Sequence, residues 1–262
     1  MQTKPATNRL LLLLLLLAAL STQARAAEWI GLGDGLRAVL HKPEGKGPFP
    51  AVVTLHGCAG MNSGGGPNPR DQDWARRLAG AGFVVIQPDS FGSRGLGSQC
   101  GTRDRSVGGA ERAADAFAAA RWLVDQGLAQ PNRIGTLGWS NGGTAALHVA
   151  RIGTSHGISM KEVIAFYPGC RLFADRGFAA PLTILHGLAD DWTPAEPCRK
   201  FRQARFIGYP DAHHDFDHPN MPMRQRHAAF SASGQPGMVT MGTHGPSRAK
   251  AIGTVMAIFR GI

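Results

Sequence analysis

Six short, mainly apolar runs recur along this chain: Ala51 to Leu55, Phe83 to Gln87, Arg133 to Leu137, Val163 to Phe166, Leu182 to Leu185 and Ala204 to Ile207. Each is long enough for one strand and too short for a helix, and the apolarity is continuous where a half-exposed strand would alternate. Such strands must be covered on both faces. The cover lies between them: Ala113, Ala116, Phe117, Ala120, Leu123 and Val124 recur at helical spacing ahead of Gly127, and Trp74, Leu78 and Ala81 share one face of a helix expected over Asp73 to Ala81. Further helices are expected over Asn141 to Ile152 and Ser247 to Phe259. This alternation predicts an α/β fold, a mostly parallel, doubly wound sheet with helices on both faces. Ahead of it, Glu28 to Leu32 and Leu36 to His41 flank Gly33-Asp34-Gly35, the pattern of a short hairpin. Met61 to Arg70 and Gly92 to Gly109 are rich in Gly, Ser, Asn and Pro. Both follow the C-terminal end of a strand, the edge where open α/β sheets hold ligands, and are expected to frame a site.

The N-terminus obeys a different pattern. Lys4 and Arg9 precede an apolar run from Leu10 to Leu20 and then Ala24-Arg25-Ala26, the layout of a secretory signal peptide over residues 1 to 26. The run is shorter than the ~20 residues a bilayer span needs, and no Cys follows it directly, as a lipoprotein would require. The mature chain is expected to start near Ala27, to form one domain over residues 27 to 262, and to be exported, periplasmic or secreted, with no membrane insertion after cleavage. A hydrophobic fraction of 43% and a charged fraction of 18% suit a globular protein. The formal charge of +10 falls to +7 once Lys4, Arg9 and Arg25 are removed. The remaining cations form short, separate groups without interleaved aromatics, which argues against nucleic acid as a partner. Cys58, Cys100, Cys170 and Cys198 show no CxxC spacing, and in an exported chain an even count suggests disulfides.

Gly138-Trp139-Ser140-Asn141-Gly142 matches G-x-S-x-G, in which a tight turn lifts a serine hydroxyl off the end of a strand. So does Gly153-Thr154-Ser155-His156-Gly157. Context separates the two: Ser140 follows a predicted strand and opens a predicted helix with a small first turn, whereas Ser155 follows a helix in a polar loop. A serine hydroxyl is a weak nucleophile until a base takes its proton, so an acid and a histidine should follow in the order Ser, Asp, His. His186 to Pro194 leaves the strand Leu182 to Leu185 carrying Asp190 and Asp191, and Tyr209 to Phe216 leaves the next strand carrying His213 and His214. An oxyanion at that edge needs two backbone N–H donors. Asn141 supplies one by position, and Cys58, just after His56-Gly57, is the expected second.

These segments resemble the dienelactone hydrolase family of α/β-hydrolases over about residues 48 to 217. The resemblance implies the α/β-hydrolase fold with little or no lid. It maps the acid of a G-x-x-D pattern onto Asp190, counting from Gly187, and the base of a Y-P-x-A-x-H-x-F pattern onto His214, counting from Tyr209. It also implies a serine hydrolase acting on small carboxylic esters or lactones through an acyl-enzyme. The family's founding enzymes use a Cys nucleophile helped by a Glu; here those positions hold Ser140 and Gly57. They hold a substrate carboxylate with two arginines; Arg94 lies one residue from the first of these positions and is the expected substrate-binding residue, while His218 stands at the second. Four cysteines allow three connectivities, and the strand order that the resemblance implies leads us to expect Cys58 with Cys100 and Cys170 with Cys198.

Other readings remain open to the sequence. His213, His214, Asp215, Asp217 and His218 could form a metal cluster, but the Ser, Asp, His order explains one of these histidines independently, and neither a metal nor a cofactor is expected. An exported peptidase of the same fold is the alternative among hydrolases, but it would call for an additional domain to gate peptides, and none is expected here. A binding protein that kept only the fold would show a broken catalytic set. The partner expected is a small-molecule ester or lactone, and the assembly a monomer or small homo-oligomer.

Overall fold

The computed structural model describes residues 27–63, 66–173 and 177–262. The segment read as a signal peptide lies outside them. Eight strands form one sheet: β1 (Glu28–Gly33), β2 (Leu36–His41), β3 (Phe49–Leu55), β4 (Val84–Pro88), β5 (Ala129–Trp139), β6 (Glu162–Phe166), β7 (Leu182–Gly187) and β8 (Ala204–Tyr209). Their spatial order is β1-β2-β4-β3-β5-β6-β7-β8. The first three are antiparallel neighbours and the rest are parallel. All six apolar runs fall on parallel strands, with Phe83 one residue ahead of β4, and the Asp34-Gly35 turn joins β1 to β2 with both residues at positive φ.

Four helices cover the sheet: α1 (Pro69–Gly80), α2 (Gly109–Asp125), α3 (Asn141–Ile152) and α4 (Gly245–Arg260). Successive residues of one strand serve opposite faces. Ala51, Val53 and Leu55 of β3 pack with α2 and α3, whereas Val52 packs with α1 and α4. In β6, Val163 and Ala165 face the first layer, and Ile164 and Phe166 the second. This two-sided burial is what continuous apolar strands require. Helix α1 starts four residues before its expected beginning because Asn68 caps it, accepting from the Arg70 N–H at 3.0 Å, with Pro69 in the first turn.

The sequence reading missed a hairpin of β9 (Arg224–Ala228) and β10 (Gly237–Met241) between β8 and α4. Ala228, Val239 and Met241 pack with Trp192 and the Cys58–Cys100 disulfide in a third apolar cluster. Cys170 is joined to Cys198. Among the described residues no helix is long and apolar enough to cross a membrane.

Candidate active site

The loops at the C-terminal ends of β3, β5, β7 and β8 converge on Ser140. That residue sits between β5 and α3 at φ 54° and ψ −114°, a backbone state uncommon for a residue with a side chain. The turn is tight enough to need glycine on either side. A Cβ at Gly138 would overlap the Gly142 carbonyl, and one at Gly142 would overlap the carbonyl oxygens of Leu55 and His56. Close approach of α3 to the end of β3 thus brings Asn141 beside the Cys58 loop. The Ser140 N–H donates to Phe166 O at 3.0 Å, which docks the turn on β6.

A hydrogen-bonded chain leads away from the serine. His214 Nε2 lies 2.9 Å from Ser140 Oγ, and His214 Nδ1 lies 2.8 Å from Asp190 Oδ2. Asp190 Oδ1 accepts from the backbone N–H groups of Trp192 and Thr193, each at 2.9 Å, so the carboxylate is held on both oxygens. Burial opposes charge on Asp190, but His214 and these donors outweigh it and hold the carboxyl below its usual range. For His214, burial favours the neutral ring, but Asp190 outweighs it and raises the imidazole above its usual value. The rings of Tyr167 and Trp192 lie 4.6 and 4.7 Å from the imidazole and wall it in.

Asp191 points elsewhere. Its Oδ1 accepts from Thr240 N–H at 2.7 Å and its Oδ2 from the Thr240 hydroxyl at 2.9 Å, fastening β10 to the loop after β7. His213 also takes no place in the chain. Asp215 binds Arg70 at 2.8 Å, and Asp217 accepts from the indole N–H groups of Trp74 (2.7 Å) and Trp139 (2.9 Å) and from the Tyr167 hydroxyl. Asp217 therefore anchors the residue before Ser140 to the loop carrying His214. Among the described residues no three His, Cys, Asp or Glu side chains are grouped to hold a metal ion.

The cleft over Ser140 has a volume of about 170 Å³, and Cys58, Arg70, Trp192, Arg224, Arg226 and Met241 are among its lining residues. Arg94 is not among them. Its guanidinium forks onto Asp115 at 2.8 and 2.9 Å and donates to Ser90 O at 2.8 Å, so an ion pair with α2 holds it away from the cleft. His218 is buried, with Nδ1 accepting from Asn220 N–H. The cleft arginines are Arg70, already engaged by Asp71 and Asp215, and Arg224 and Arg226, alternate residues on one side of β9. Sequence reasoning placed Arg70 at the end of a loop expected to frame the site, but passed over Arg224 and Arg226 as surface charge. The R-x-R spacing within a strand was the one available signal for the pair.

The eight-stranded order and the serine raised at the end of β5 define an α/β-hydrolase. The sequence profile of the dienelactone hydrolase family matches residues 36–238, and the chain belongs to that family. A Bradyrhizobium protein named "Probable 2-oxo-3-(5-oxofuran-2-ylidene)propanoate lactonase" is 26% identical, over 70% of this chain and 77% of its own. The crystal structure of a "Putative Dienelactone Hydrolase" from Klebsiella pneumoniae superposes with a TM-score of 0.67 at 20% identity, covering 90% of this chain and 99% of that one. Thermogutta terrifontis esterase 2, solved phosphoramylated by tabun, gives 0.60 at 22% identity, covering 90% and 94%. These likenesses show the fold, and the family makes the protein a carboxylic ester hydrolase of the esterase or lactonase type.

Proposed function

We propose that Ser140 attacks the acyl carbon of a small ester or lactone while His214 takes its proton and Asp190 orients the imidazole. Cys58 and Asn141 present the backbone N–H groups that receive the oxyanion. The alkoxide leaves with the proton from His214, and water then hydrolyses the acyl-enzyme by the same relay. The observation that carries this reading is the unbroken chain Ser140 Oγ, His214 Nε2, His214 Nδ1, Asp190 Oδ2 at the floor of a cleft. Arg224 and Arg226 give that cleft a positive rim, which favours a substrate bearing a carboxylate, as does the propanoate in the name of the Bradyrhizobium lactonase. The part in acidic-substrate binding expected of Arg94 thus passes to these two residues. The protein works as one exported domain from about Ala27 onward, in keeping with two disulfides.

A fluorophosphonate probe tests the nucleophile, since the Thermogutta esterase is itself modified by an organophosphorus agent. Ser140→Ala should lose both labelling and ester turnover by several orders of magnitude while staying folded, and Ser155→Ala should keep both. Labelling that survives in Ser140→Ala would remove this assignment. Replacing Arg224 and Arg226 by Gln should lower kcat/KM for an acidic ester and spare its neutral counterpart; an equal effect on the two would remove the arginines from substrate selection.

A further inference from the structure

Arg112 occupies the buried face of α2, with no exposed surface, beside Ala113, Ala116 and Ala120. Among the described residues it forms no ion pair: Asp115 is taken by Arg94, and Asp71 by Arg70. Its terminal nitrogens go to neutral acceptors instead. Nη2 donates to His56 O at 2.6 Å and Nη1 to Asn141 Oδ1, while the Phe91 ring carries the guanidinium 4.9 Å from its centre and Nε is left without a partner. Burial pulls this arginine down to about 9. Asp115 and Asp71 offset part of that burial without reaching ion-pair distance, but a buried cation without a direct anionic partner is costly, and an apolar side chain of like size would cost less, so stability alone does not explain it.

The two acceptors explain it better. His56 stands two residues ahead of Cys58, and Asn141 follows Ser140; these segments carry the two proposed oxyanion donors. They already meet where Gly142 packs on the Leu55 and His56 carbonyls. We propose that Arg112 is a positioning residue for the oxyanion hole, its fork clamping the loop after β3 to the start of α3 and so setting the spacing between the Cys58 and Asn141 N–H groups. This rests on the reading of Ser140 as nucleophile. The guanidinium is absent from the cleft lining and acts from behind the backbone, through the segments that carry the two donors. That charge appears on the substrate oxygen only as the tetrahedral intermediate forms, so a loosened clamp lowers kcat and leaves KM in place.

The test compares Arg112→Lys, which keeps the charge and loses the fork, with Arg112→Met, which loses both, and with Ser140→Ala as the reference. Activity on a short-chain p-nitrophenyl ester is expressed per active site titrated with a fluorophosphonate, and thermal stability is followed alongside. Removing one oxyanion donor outright costs about 100- to 1000-fold. A misplaced pair should cost less: we expect kcat to fall roughly 10-fold in the Lys variant and roughly 100-fold in the Met variant, with KM within about twofold. A trifluoromethyl ketone, which adds to the serine as an oxyanion, should lose affinity in step with kcat/KM. Unchanged kcat per titrated site, or losses confined to titre and melting temperature, would overturn the proposal and leave Arg112 a packing residue. Should neither variant fold, Asn141→Ala decides: it keeps the backbone donor and removes one acceptor of the fork, so kcat should still drop at constant KM, and an unaltered kcat overturns the clamp. Retained turnover in Ser140→Ala would instead strike the nucleophile assignment, a separately readable failure.

Discussion

Asp190 and Asp191 carry the same side chain one residue apart, and their opposite directions give them different work. Asp190 turns inward to His214, while Asp191 turns outward to Thr240 of the hairpin. Asp190→Asn keeps the shape but no longer stabilises the imidazolium or fixes the tautomer, so kcat should fall roughly 10,000-fold. Asp191→Asn keeps an acceptor for Thr240, and the loss of about one hydrogen bond should leave the rate within about tenfold. The reverse ranking in steady-state kinetics would exchange the two roles. In the proposed relay His214 must be neutral to accept a proton, and Asp190 raises it above the ordinary histidine value. The acid limb of kcat/KM should therefore rise with pH through a midpoint above about 6.5. Asp190→Asn removes the largest influence that raises His214 and leaves burial and Arg70 opposed by Asp215 alone, so the midpoint of the residual activity should move down. A midpoint that stays in place, or moves up, would show that Asp190 does not set this titration.

At the scale of elements, the site depends on loops tied to one another rather than on the sheet alone. The Cys58–Cys100 disulfide joins the loop after β3 to the loop between β4 and α2, and Gln99 N–H donates to Cys58 O at 2.7 Å across the same junction. The hairpin β9–β10 rests on that disulfide and on Trp192, and Gly242 N–H bonds His214 O at 3.0 Å where β10 ends. The sheet and its helices form a core independent of these ties. Reduction should therefore lower ester turnover at reductant concentrations that leave the far-ultraviolet circular dichroism unchanged. Loss of both signals together in a dithiothreitol titration, and equally in Cys58→Ser/Cys100→Ser, which leaves Cys170–Cys198 intact, would show instead that the first disulfide supports the whole fold.

At the scale of the molecule, one sheet and its four covering helices frame the described chain, and the segment between β6 and β7 is too short for a separate lid. The roof of the cleft is the β9–β10 hairpin, and the space over Ser140 is about 170 Å³. A larger cavity of about 370 Å³ lies between α1 and the β1–β2 hairpin; it shares Asn68 with the cleft but neither Ser140 nor His214. Each buried methylene contributes about 0.8 kcal/mol, roughly fourfold in binding, only while there is surface to receive it. Over a series of p-nitrophenyl esters kcat/KM should rise for the first few acyl carbons and then level or fall. A steady rise to long chains would mean that the cleft opens into the larger cavity or that the hairpin moves.

What the sequence determined by itself is what runs along the backbone: which runs are strands, that they are covered on both faces, that Ser140 opens a helix from the end of one of them, and that the acid and base leave the next strands in order. Each of these follows from local periodicity, glycine spacing and chain order, so the fold was legible before any coordinate, whereas the choice of Asp190 over Asp191 and of His214 over His213 came only from the resemblance to the dienelactone hydrolase family. Boundaries moved where a local signal had been overlooked, as at the Asn68 cap. Only the tertiary structure decided where long polar side chains go. Arg94 was expected at the site and turned to Asp115, 21 residues away. Arg112 lay on a buried helix face, where a charge was itself a warning, yet its acceptors stand 29 and 56 residues distant. The hairpin escaped notice because Arg224-Gln225-Arg226-His227 has no apolar face to count, and its docking rests on Asp191, Trp192 and a disulfide. A guanidinium at the end of a flexible stem takes the partner that folding brings within reach, and sequence spacing does not encode that distance.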